Sequence, residues 1–418
     1  MTRADTQPGD PQPVPSPART YPVWLPILLG VLTAVGPLST DMYLPAFPAI
    51  EASLGGRPGT AQVTLAAWFA GLAVGQITQG SLSDRFGRRG PLIVGTLVYA
   101  LANAGCALAP DLLTLSMLRF VAAFGGSASM VIPRAVVRDL ADGHAAARLM
   151  SRLMLVMGAA PILAPTLGGL VLGVAAWHAI FWLMAAYGLV CSVLVWRLLP
   201  DTLAAERRIS LGAASLLSRY AGVLGDRVFL SYALMGGFGM FGMFAYIGGS
   251  SPVFIQHFAF SPAAYGMLFG CSAAAFILAS QVNPWLLLRF GPARVIRAGV
   301  SAYLAAALAM LACAVLQVGG VAGVVAPAVF AMGSMGLVMP NAAVGALSRH
   351  AGQAGSASAM MGTLQFCLAA ASGLLVGLLT DGTPRPMAAM LVLGAIGTVA
   401  ADRLRPKVGA GKKEKIPA

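Results

Sequence analysis

Twelve apolar segments of spanning length constrain this chain more than any other feature of its 418-residue sequence. A helix needs roughly 20 mainly apolar residues to cross the hydrocarbon core of a bilayer. Charged residues make up only 10 % of the chain and hydrophobic residues 58 %, whereas a soluble domain carries roughly 25 % charged residues. The sequence therefore predicts a polytopic membrane protein. The segments lie near residues 23–47, 62–83, 91–109, 112–133, 149–174, 178–199, 227–254, 263–288, 293–316, 320–347, 355–379 and 386–402.

The segments divide into two groups of six, which a polar connector at 200–226 separates. The sequence DRFGRR at 84–89 follows the second segment, and the similar sequence LRFGPAR at 288–294 follows the eighth. This repeat favours duplication, so we predict an all-α fold of twelve transmembrane helices in two pseudo-symmetric six-helix halves. The predicted organisation is a disordered cytoplasmic tail at 1–21, an N-terminal half at 22–199, the connector, a C-terminal half at 227–403 and a basic cytoplasmic tail at 404–418.

Basic residues set the expected orientation, because Lys and Arg accumulate in the cytoplasmic loops of membrane proteins. With the N-terminus inside, only Arg57 and Arg385 lie outside, and Arg119 lies within the fourth segment. The other 24 of the 27 Lys and Arg residues then fall in cytoplasmic loops or tails. We therefore expect a multi-pass protein with both termini in the cytoplasm. This topology accounts for the net charge of +13, and no nucleic-acid partner is predicted.

No sequence pattern predicts catalysis or metal binding. The five cysteines lie in apolar stretches without CxxC spacing, and the four histidines lie in loops or at segment ends without HExxH spacing. The chain has no GxxxxGK[ST] phosphate-binding loop and no Ser/His/Asp or paired-carboxylate arrangement. These observations argue against an enzyme and against a nucleotide-driven pump, and they predict neither a metal nor a cofactor.

Two charged residues fall inside the apolar segments and away from their cytoplasmic ends. Asp41 lies about eighteen residues into the first segment, and Arg119 lies about seven residues into the fourth. A charge in the membrane usually faces a cavity or a partner, because exposure to lipid is costly. Both residues belong to the outer half of the membrane, so one cavity could hold both. One alternative is a structural ion pair or a polar clamp between helices. The other is a carboxylate that binds a proton or a cationic group, with Arg119 setting the pKa of Asp41 or linking substrate to proton.

The loop after the second segment reads GSLSDRFGRRGP at 80–91. A basic loop beside a membrane would explain the arginines but not the aspartate or the glycines at this spacing. The loop resembles the cytoplasmic signature of the major facilitator superfamily, Gly-x-Leu-Ser/Ala-Asp-Arg-x-Gly-Arg-Arg. The resemblance implies an inner-gate motif with Asp139, at the end of the fourth segment, as a partner. The matching residues are Gly80, Asp84, Arg85, Gly87, Arg88 and Arg89.

Two further segments resemble motifs of the same superfamily. The stretch LRFVAAFGGSASMVIPRAVVRDL at 118–140 is similar to the motif of proton-coupled members, with Arg119 at the arginine position. The stretch GAAPILAPTLGGL at 158–170 is similar to the drug–proton antiporter motif, although Ala164 stands where that motif usually has Gly. The residues assigned to this antiporter-motif helix are Gly158, Pro165, Gly168 and Gly169.

The stretch STDMYLPAFP at 39–48 resembles the first-span signature of the bicyclomycin-resistance and chloramphenicol/florfenicol efflux group. The resemblance implies a monomeric inner-membrane carrier that exports small lipophilic drugs or toxic compounds by alternating access. The proton gradient would drive export, and Asp41 would bind the proton. The alternative is an exporter of one specific metabolite for which drug efflux is incidental. Uptake by symport is disfavoured, because the fifth segment resembles exporters.

A substrate pocket is expected near the midplane, where transporters of this build bind between their halves. Aromatic and Met-rich surfaces suit varied lipophilic substrates, because such surfaces repack. The alternative for each aromatic residue is packing between helices or against lipid. The candidate pocket residues are Tyr43, Gln76, Phe238, Phe241, Phe244, Tyr246, Asn341 and Gln365.

Overall fold

The computed structural model describes residues 22–57, 59–141, 143–204, 206, 208, 213–350 and 353–406. The predicted tail at 1–21 lies outside the described residues, as do 407–418 of the predicted basic tail. Ten of the described helices are long and apolar enough to cross a membrane. The helices Gln62–Phe86 and Gly143–Val174 complete the twelve predicted spans.

The first half contains eight helices that form six spans. A turn of 3₁₀ helix at Leu44–Ala46 joins α1 to the short α2, and α5 continues into α6 past Ser127. The first and fourth spans are therefore interrupted rather than continuous. The helices are α1 (Trp24–Asp41), α2 (Phe47–Ser53), α3 (Gln62–Phe86), α4 (Arg89–Ala107), α5 (Leu112–Gly126), α6 (Ala128–Leu140), α7 (Gly143–Val174) and α8 (His178–Leu198).

The described part of the connector contains one short α-helix, and the second half contributes six more. A π-helical turn at Pro252–His257 extends the seventh span beyond its α-helix. The helices are α9 (Ala213–Gly225) in the connector, followed by α10 (Arg227–Ser251), α11 (Pro262–Phe290), α12 (Pro292–Leu316), α13 (Gly320–Leu347), α14 (Ala354–Leu379) and α15 (Arg385–Leu404).

The repeated Arg-Phe-Gly sequence gives the same turn in both halves. Gly87 ends α3 with φ 87° and ψ 173°, and Gly291 ends α11 with φ 77° and ψ 156°. Positive φ is strained for residues with a Cβ, so glycine suits both turns. The α4 helix begins within two residues of Gly87, and α12 begins directly after Gly291. The two turns therefore support a duplicated fold.

A second repeat becomes visible once the helices are aligned. The stretch GSASMVIPRAVVRDL at 126–140 and the stretch GSMGLVMPNAAVGAL at 333–347 are identical at seven of fifteen positions. Both contain a proline inside a helix, Pro133 and Pro340. The fourth and tenth spans are therefore counterparts, and Arg134 and Asn341 occupy equivalent positions.

The halves are joined along two helix pairs, α3 with α14 and α7 with α11. Toward α2 and the π-helical turn, further contacts close the interface, and we name this the closed end. The opposite end carries the 80–91 loop, and we name it the motif end. Among the described residues, neither α1 nor α6 packs extensively on the second half. From this contact pattern we infer a cleft between these two helices and α10 and α13 of the second half, open toward the motif end.

The predicted charge distribution is wrong for two arginines of the fourth span. A span that ends at residue 133 places Arg134 and Arg138 in a cytoplasmic loop. The structure continues the helix to Leu140 and places both arginines on it. The apolar pattern failed here because the helix is amphipathic over this last stretch, with both arginine side chains exposed.

Candidate functional site

Arg88 organises the motif end of the first half. Its side chain is buried, and its Nε atom donates a hydrogen bond of 2.8 Å to Asp139 at the end of α6. Its Nη1 atom donates to Asp84 and to the Ser83 hydroxyl. Burial alone would lower the pKa of Arg88, but the hydrogen bonds and charges of Asp139 and Asp84 outweigh burial and raise this pKa. The guanidinium therefore stays charged, and the predicted partnership with Asp139 is present in the structure.

Asp201, in the connector, is a member of this network that the sequence motif does not reveal. Its carboxylate accepts a hydrogen bond of 2.8 Å from the backbone N–H of Arg88 and forms an ion pair with Arg208. A Cβ atom at Gly87 would come within 1.8 Å of the Asp201 carboxylate. Thr202 donates to Asp139 in addition. The glycine of the motif therefore admits a connector carboxylate as well as making the turn.

The other motif residues have simpler surroundings. Arg89 donates a 2.6 Å hydrogen bond to the Trp196 carbonyl at the end of α8. Gly80 faces Val131 of α6 at ordinary contact distance. Arg85 is exposed and lies over the ring of its neighbour Phe86. Only part of the motif is therefore built into the network.

Replacing Arg88 tests the network. We expect Arg88→Ala to lower the free energy of unfolding by about 3 kcal/mol, because it leaves the Asp139 carboxylate partly buried without its cation. Thermal unfolding in detergent would measure the loss. Arg85→Ala is the matched control, since its side chain is exposed, and it should unfold at the wild-type temperature. Equal stability of both variants would show that the ion pairs do not stabilise this end.

Arg119 occupies an aromatic cage in the first half. Its side chain is 0 % exposed, and its guanidinium carbon lies 4.2 Å from the ring centroid of Tyr43 and 4.3 Å from that of Trp68. The Phe181 ring lies 5.8 Å away. Arginine over aromatic faces is favourable, more so when water is excluded. The Nη2 atom donates a 2.7 Å hydrogen bond to the Ser39 carbonyl, which ties α5 to α1 two residues before Asp41.

Asp41 is the last residue of α1 and is 5 % exposed. The described residues supply no ion-pair partner for its carboxylate, so the structure does not contain the Asp41–Arg119 pair that was one of the sequence alternatives. The turn at Leu44–Ala46 that follows Asp41 packs on α10 and α11, in the second half. Asp41 therefore lies where the first half faces the second, near the closed end.

The glycines predicted on the fifth span bring three helices together around this carboxylate. A Cβ atom on Gly168 would lie 1.8 Å from the Met42 carbonyl oxygen, directly after Asp41. A Cβ on Gly169 would lie 2.7 Å from the Pro262 carbonyl at the start of α11. Small residues allow such close helix approach in membranes. Pro165 lies on the same face, because a Cβ on Gly266 of α11 would meet its carbonyl at 2.9 Å. Gly158 lies in α7, and its surroundings fall outside the described residues.

Glu51 on α2 is a closed-end residue that sequence analysis missed. Its buried carboxylate accepts hydrogen bonds from the backbone N–H groups of Gly59, at 2.8 Å, and Ala61, at 3.0 Å. Gln256, on the π-helical turn of the second half, donates to its other oxygen at 3.4 Å. Gln62 also crosses the interface by donating to the Gly248 carbonyl at 3.2 Å. Hydrogen bonds of polar side chains therefore hold the two halves together at the closed end. The sequence feature that could have identified Glu51 is its short distance from a Gly-rich loop.

Removing the Glu51 carboxylate should loosen the closed end. We expect Glu51→Ala to raise the population open at this end about tenfold, because several hydrogen bonds to a charged group are lost. Accessibility of a cysteine introduced at position 248 to a thiol reagent would report the change. Asp111→Asn, an exposed helix cap at the same end, is the control and should leave accessibility unchanged. Protection of position 248 in Glu51→Ala would contradict this role.

Three of the predicted pocket residues carry amides, and of these Gln76 contacts the other half, whereas Gln365 and Asn341 contact helices of their own half. Gln76 on α3 packs against Gly362 of α14, and Gln365 of α14 packs against Gly236 of α10. Asn341 on α13 donates a 2.8 Å hydrogen bond to the Asn283 side chain on α11. These amides lie at intermediate or low exposure beside the cleft. Their assignment to the substrate pocket stays a prediction.

The aromatic candidates separate into different environments. Tyr43 is 0 % exposed and belongs to the Arg119 cage. Its predicted place in the pocket is therefore wrong for this conformation. Phe238 packs on Gly397 of α15, where the glycine leaves room for its ring. That contact turns Phe238 toward another helix of its own half, but its side chain keeps intermediate exposure, so its place in the pocket stays a prediction. A helix that is apolar all round does not reveal which face meets the cleft.

The remaining aromatics are buried in or near the interface. Phe244 meets Phe69 of α3 with 4.1 Å between ring centroids, which joins the two halves. Tyr246 shares a 2.9 Å hydrogen bond with Ser272 of α11. Phe241 is buried, and its carbonyl accepts a hydrogen bond from Ser372 of α14. In this conformation these three side chains pack between helices rather than line an open surface.

Two six-helix halves around a cleft open at one end define a membrane transporter. The chain belongs to the Major Facilitator Superfamily, whose sequence model matches residues 29–374. Family and fold are those of multi-pass transporters of small molecules rather than of enzymes. The expectation drawn from the 80–91 loop is therefore confirmed.

Several bacterial relatives are similar over nearly their full length. The MFS-type transporter YdgK of Bacillus subtilis (strain 168) is 36 % identical over 384 residues, which cover 90 % of this chain and 94 % of YdgK. The bicyclomycin resistance protein homolog of Haemophilus influenzae is 29 % identical and covers 88 % of this chain and 92 % of its own. The chloramphenicol resistance protein of Pseudomonas aeruginosa is 27 % identical over 93 % of both chains.

Solved structures share the fold at low sequence identity. A bacterial homolog of the human lysosomal transporter Spinster, in an inward-facing and occupied conformation, matches with a TM-score of 0.70 and 14 % identity. The match covers 91 % of this chain and 95 % of that one. A D-xylose–proton symporter matches with a TM-score of 0.67, also at 14 % identity, over 90 % of this chain and 95 % of that one. The twelve-helix architecture predicted from the sequence is confirmed.

Proposed function

We propose that the protein exports small lipophilic compounds, including antibiotics, in exchange for protons. The names of the Haemophilus and Pseudomonas relatives refer to resistance to bicyclomycin and to chloramphenicol, and their similarity runs over most of the chain. Alternating access between the two halves moves the substrate across the membrane. The proton gradient supplies the energy, and the protein works as a monomer without a bound cofactor.

The observation that carries this proposal is the position of Asp41. The carboxylate is buried at the closed end, where α1, α7 and α11 meet, and no ion pair from the described residues neutralises it. A buried carboxylate without a cation is costly when ionised and is neutral when it holds a proton. Opening the closed end would hydrate Asp41 and let it exchange that proton. Protonation is thereby linked to the conformation of the two halves.

Arg119 is the positioning residue in this proposal. Its hydrogen bond to the Ser39 carbonyl holds the last turn of α1 against the aromatic cage. The cage keeps the guanidinium away from ion pairing with Asp41 in the conformation described. Arg119 therefore holds α1, the helix that carries the proton-binding carboxylate, in place. It acts on Asp41 through this positioning rather than through an ion pair.

The motif end faces the cytoplasm of the bacterial cell in this proposal, and both termini lie there. Most Lys and Arg residues belong to loops and helix ends on that side, as expected for cytoplasmic positions in an inner membrane. The closed end then faces the periplasm. The cleft is open to the cytoplasm, from which an exporter takes its substrate.

Measurement of drug and proton transport across the membrane of proteoliposomes tests the proposal. Purified protein would be reconstituted with a pH-sensitive dye inside the vesicles, and chloramphenicol would be added outside under an imposed pH gradient. We expect drug movement in one direction and proton movement in the other, in proportion. Drug movement that is independent of the pH gradient would contradict antiport. Proton movement in the same direction as the drug would identify symport instead.

A further inference from the structure

The connector helix α9 is fixed to both halves of the protein. It packs on α10 and α14 of the second half. The Tyr220 hydroxyl donates a 3.4 Å hydrogen bond to the Ile77 carbonyl on α3, in the first half. Val223 of α9 is buried in one apolar cluster with Phe229 of α10. The helix is therefore a built part of the molecule rather than a free linker.

A cavity lies between α9 and the chain that joins α13 to α14, and we name it the α9 cavity. Its volume is about 310 Å³. A water molecule takes about 30 Å³ of liquid, so the cavity has room for a compact polar group together with several waters. Four of the six lining side chains are polar, which suits a hydrophilic ligand. The lining residues are Ser218, Arg219, Gly222, Val223, His350 and Gln353.

Arg219 gives the α9 cavity a cation that the protein itself leaves unused. Its side chain is exposed, and the described residues offer it no hydrogen bond or ion pair. The nearest acidic residue along the chain, Asp226, is already engaged at 3.4 Å by Arg349 and lies 3.2 Å from Nε2 of His350. The contact with Asp226 also positions the imidazole that lines the cavity. The guanidinium of Arg219 is therefore open to an anionic ligand.

The α9 cavity lies where the spans leave the membrane. It borders the end of α13 and the beginning of α14, at the motif end. The last strongly exposed apolar side chain of α13 is Val344, and His350 follows six residues later. Arg227 and Arg349 are exposed at the ends of α10 and α13. Basic residues next to the ends of spans attract anionic phospholipids, so the cavity lies at the level of their headgroups.

We propose that the α9 cavity binds a phosphate group. A guanidinium donates paired hydrogen bonds to phosphate oxygens, and the Ser218 hydroxyl and the Gln353 amide add further donors. The headgroup of an anionic phospholipid brings a phosphate to this level, and free phosphate is the alternative source. A phosphate held by Arg219 and His350 would tie α9 to the chain between α13 and α14. The site lies outside the cleft and does not depend on the proposed export function.

Binding of matched lipids to the intact protein in detergent tests the site. Dioctanoyl phosphatidylglycerol carries a phosphate, and dioctanoylglycerol has the same acyl chains without one. Mass spectrometry of intact complexes would measure both affinities. We expect the wild type to bind the phosphatidylglycerol about tenfold more tightly than dioctanoylglycerol. Inorganic phosphate at the same concentration should not displace the lipid, and displacement would assign the phosphate site to free phosphate instead.

Two variants remove the site in different ways. Arg219→Gln removes the charge and should lower the affinity for phosphatidylglycerol about tenfold. Gly222→Leu fills the cavity without a clash, because a Cβ there meets no atom within 4 Å, and it should lower this affinity as well. Arg227→Gln is the matched control for charge. Gly225→Leu is the control for bulk, since a Cβ on Gly225 also meets no atom within 4 Å and this residue does not line the cavity.

Both control variants should bind phosphatidylglycerol as the wild type does. Wild-type affinity in Arg219→Gln and in Gly222→Leu would overturn the site. An equal loss of affinity in the two controls would also overturn it, because binding would then follow surface charge or helix bulk rather than the cavity. Equal affinity of the wild type for the two lipids would show that only the acyl chains are bound and would overturn the site too. Each of these results would leave the export proposal standing.

Discussion

Asp41→Asn is expected to abolish gradient-driven export while leaving the protein folded and able to bind substrate. Asparagine has nearly the shape of protonated aspartate but cannot release a proton. The variant should therefore have no proton to exchange for substrate, and its affinity for substrate should no longer depend on pH. Drug uptake into inverted vesicles under a pH gradient should fall to the level of empty vesicles. Exchange of labelled for unlabelled drug across the same vesicles should persist, because exchange needs no proton.

The control for this experiment is another acidic residue at the same end. Asp111 is exposed at the start of α5 and caps that helix through Thr114. Asp111→Asn retains the capping oxygen and should export at the wild-type rate. Full gradient-driven export by Asp41→Asn would remove Asp41 from the coupling mechanism.

Gly168→Ala is expected to have the second largest effect, through the packing of the closed end. Its Cβ would lie 1.8 Å from the Met42 carbonyl oxygen and 2.8 Å from the carbonyl carbon. Both atoms belong to the backbone, so no side-chain rotation relieves the clash. Overpacking of this kind costs about 1–3 kcal/mol. Since about 1.4 kcal/mol is a factor of ten in an equilibrium, the closed end should open in a large share of molecules.

Distances between spin labels would measure that opening. Labels at positions 108 and 317 suit the measurement, because both side chains are exposed at the closed end, one in each half. We expect the distance distribution of Gly168→Ala to shift to longer values and its export rate to fall. Gly173→Ala is the matched control on the same helix, since a Cβ there meets no atom within 4 Å. A wild-type distribution in Gly168→Ala would show that α7 can yield at this point.

The sequence predicts the span architecture and the Arg88–Asp139 partnership well. The spans follow from hydrophobic length, which the bilayer imposes on any helix that crosses it. Asp84 and Arg88 lie one helical turn apart in sequence, so their pairing is local. Asp139 was found only because the resemblance assigned the ends of two neighbouring spans to one side of the membrane.

The sequence does not predict the members of the site that come from distant segments. Asp201 lies 113 residues from Arg88 and carries no motif of its own. Glu51 and Gln256 meet only because the halves close on each other. Their contact depends on the conformation that the protein adopts, and hydropathy does not encode it. Such pairs become visible only when the helices are packed.

The side on which an aromatic ring packs is not predicted for a related reason. Tyr43 and Phe238 lie in helices or turns that are apolar on every side, so no polar face marks the direction of the cleft. Tyr43 instead shields the Arg119 guanidinium, and Phe238 fills the space left by Gly397. In each case a small or charged partner on another helix decides where the ring packs.

The contacts at the closed end link proton exchange at Asp41 to the conformation of the two halves. The closed end buries Asp41 between α1, α7 and α11, and the polar bonds of Glu51 and Gln62 hold the halves together there. Separation of the halves would break those bonds and expose Asp41 to water at the same time. Only the conformation open at that end can load or release the proton from that side, which is the requirement for coupled exchange.

Proton release when substrate binds to purified protein tests the role of Asp41 most directly. Chloramphenicol, which carries no titrating charge near neutral pH, would be added to detergent-solubilised protein in weak buffer with a pH indicator. We expect the wild type to release protons in proportion to bound drug, and we expect Asp41→Asn to bind the drug but release none. Equal release from the wild type and from Asp41→Asn would contradict this role, because the competing proton would then reside on another group.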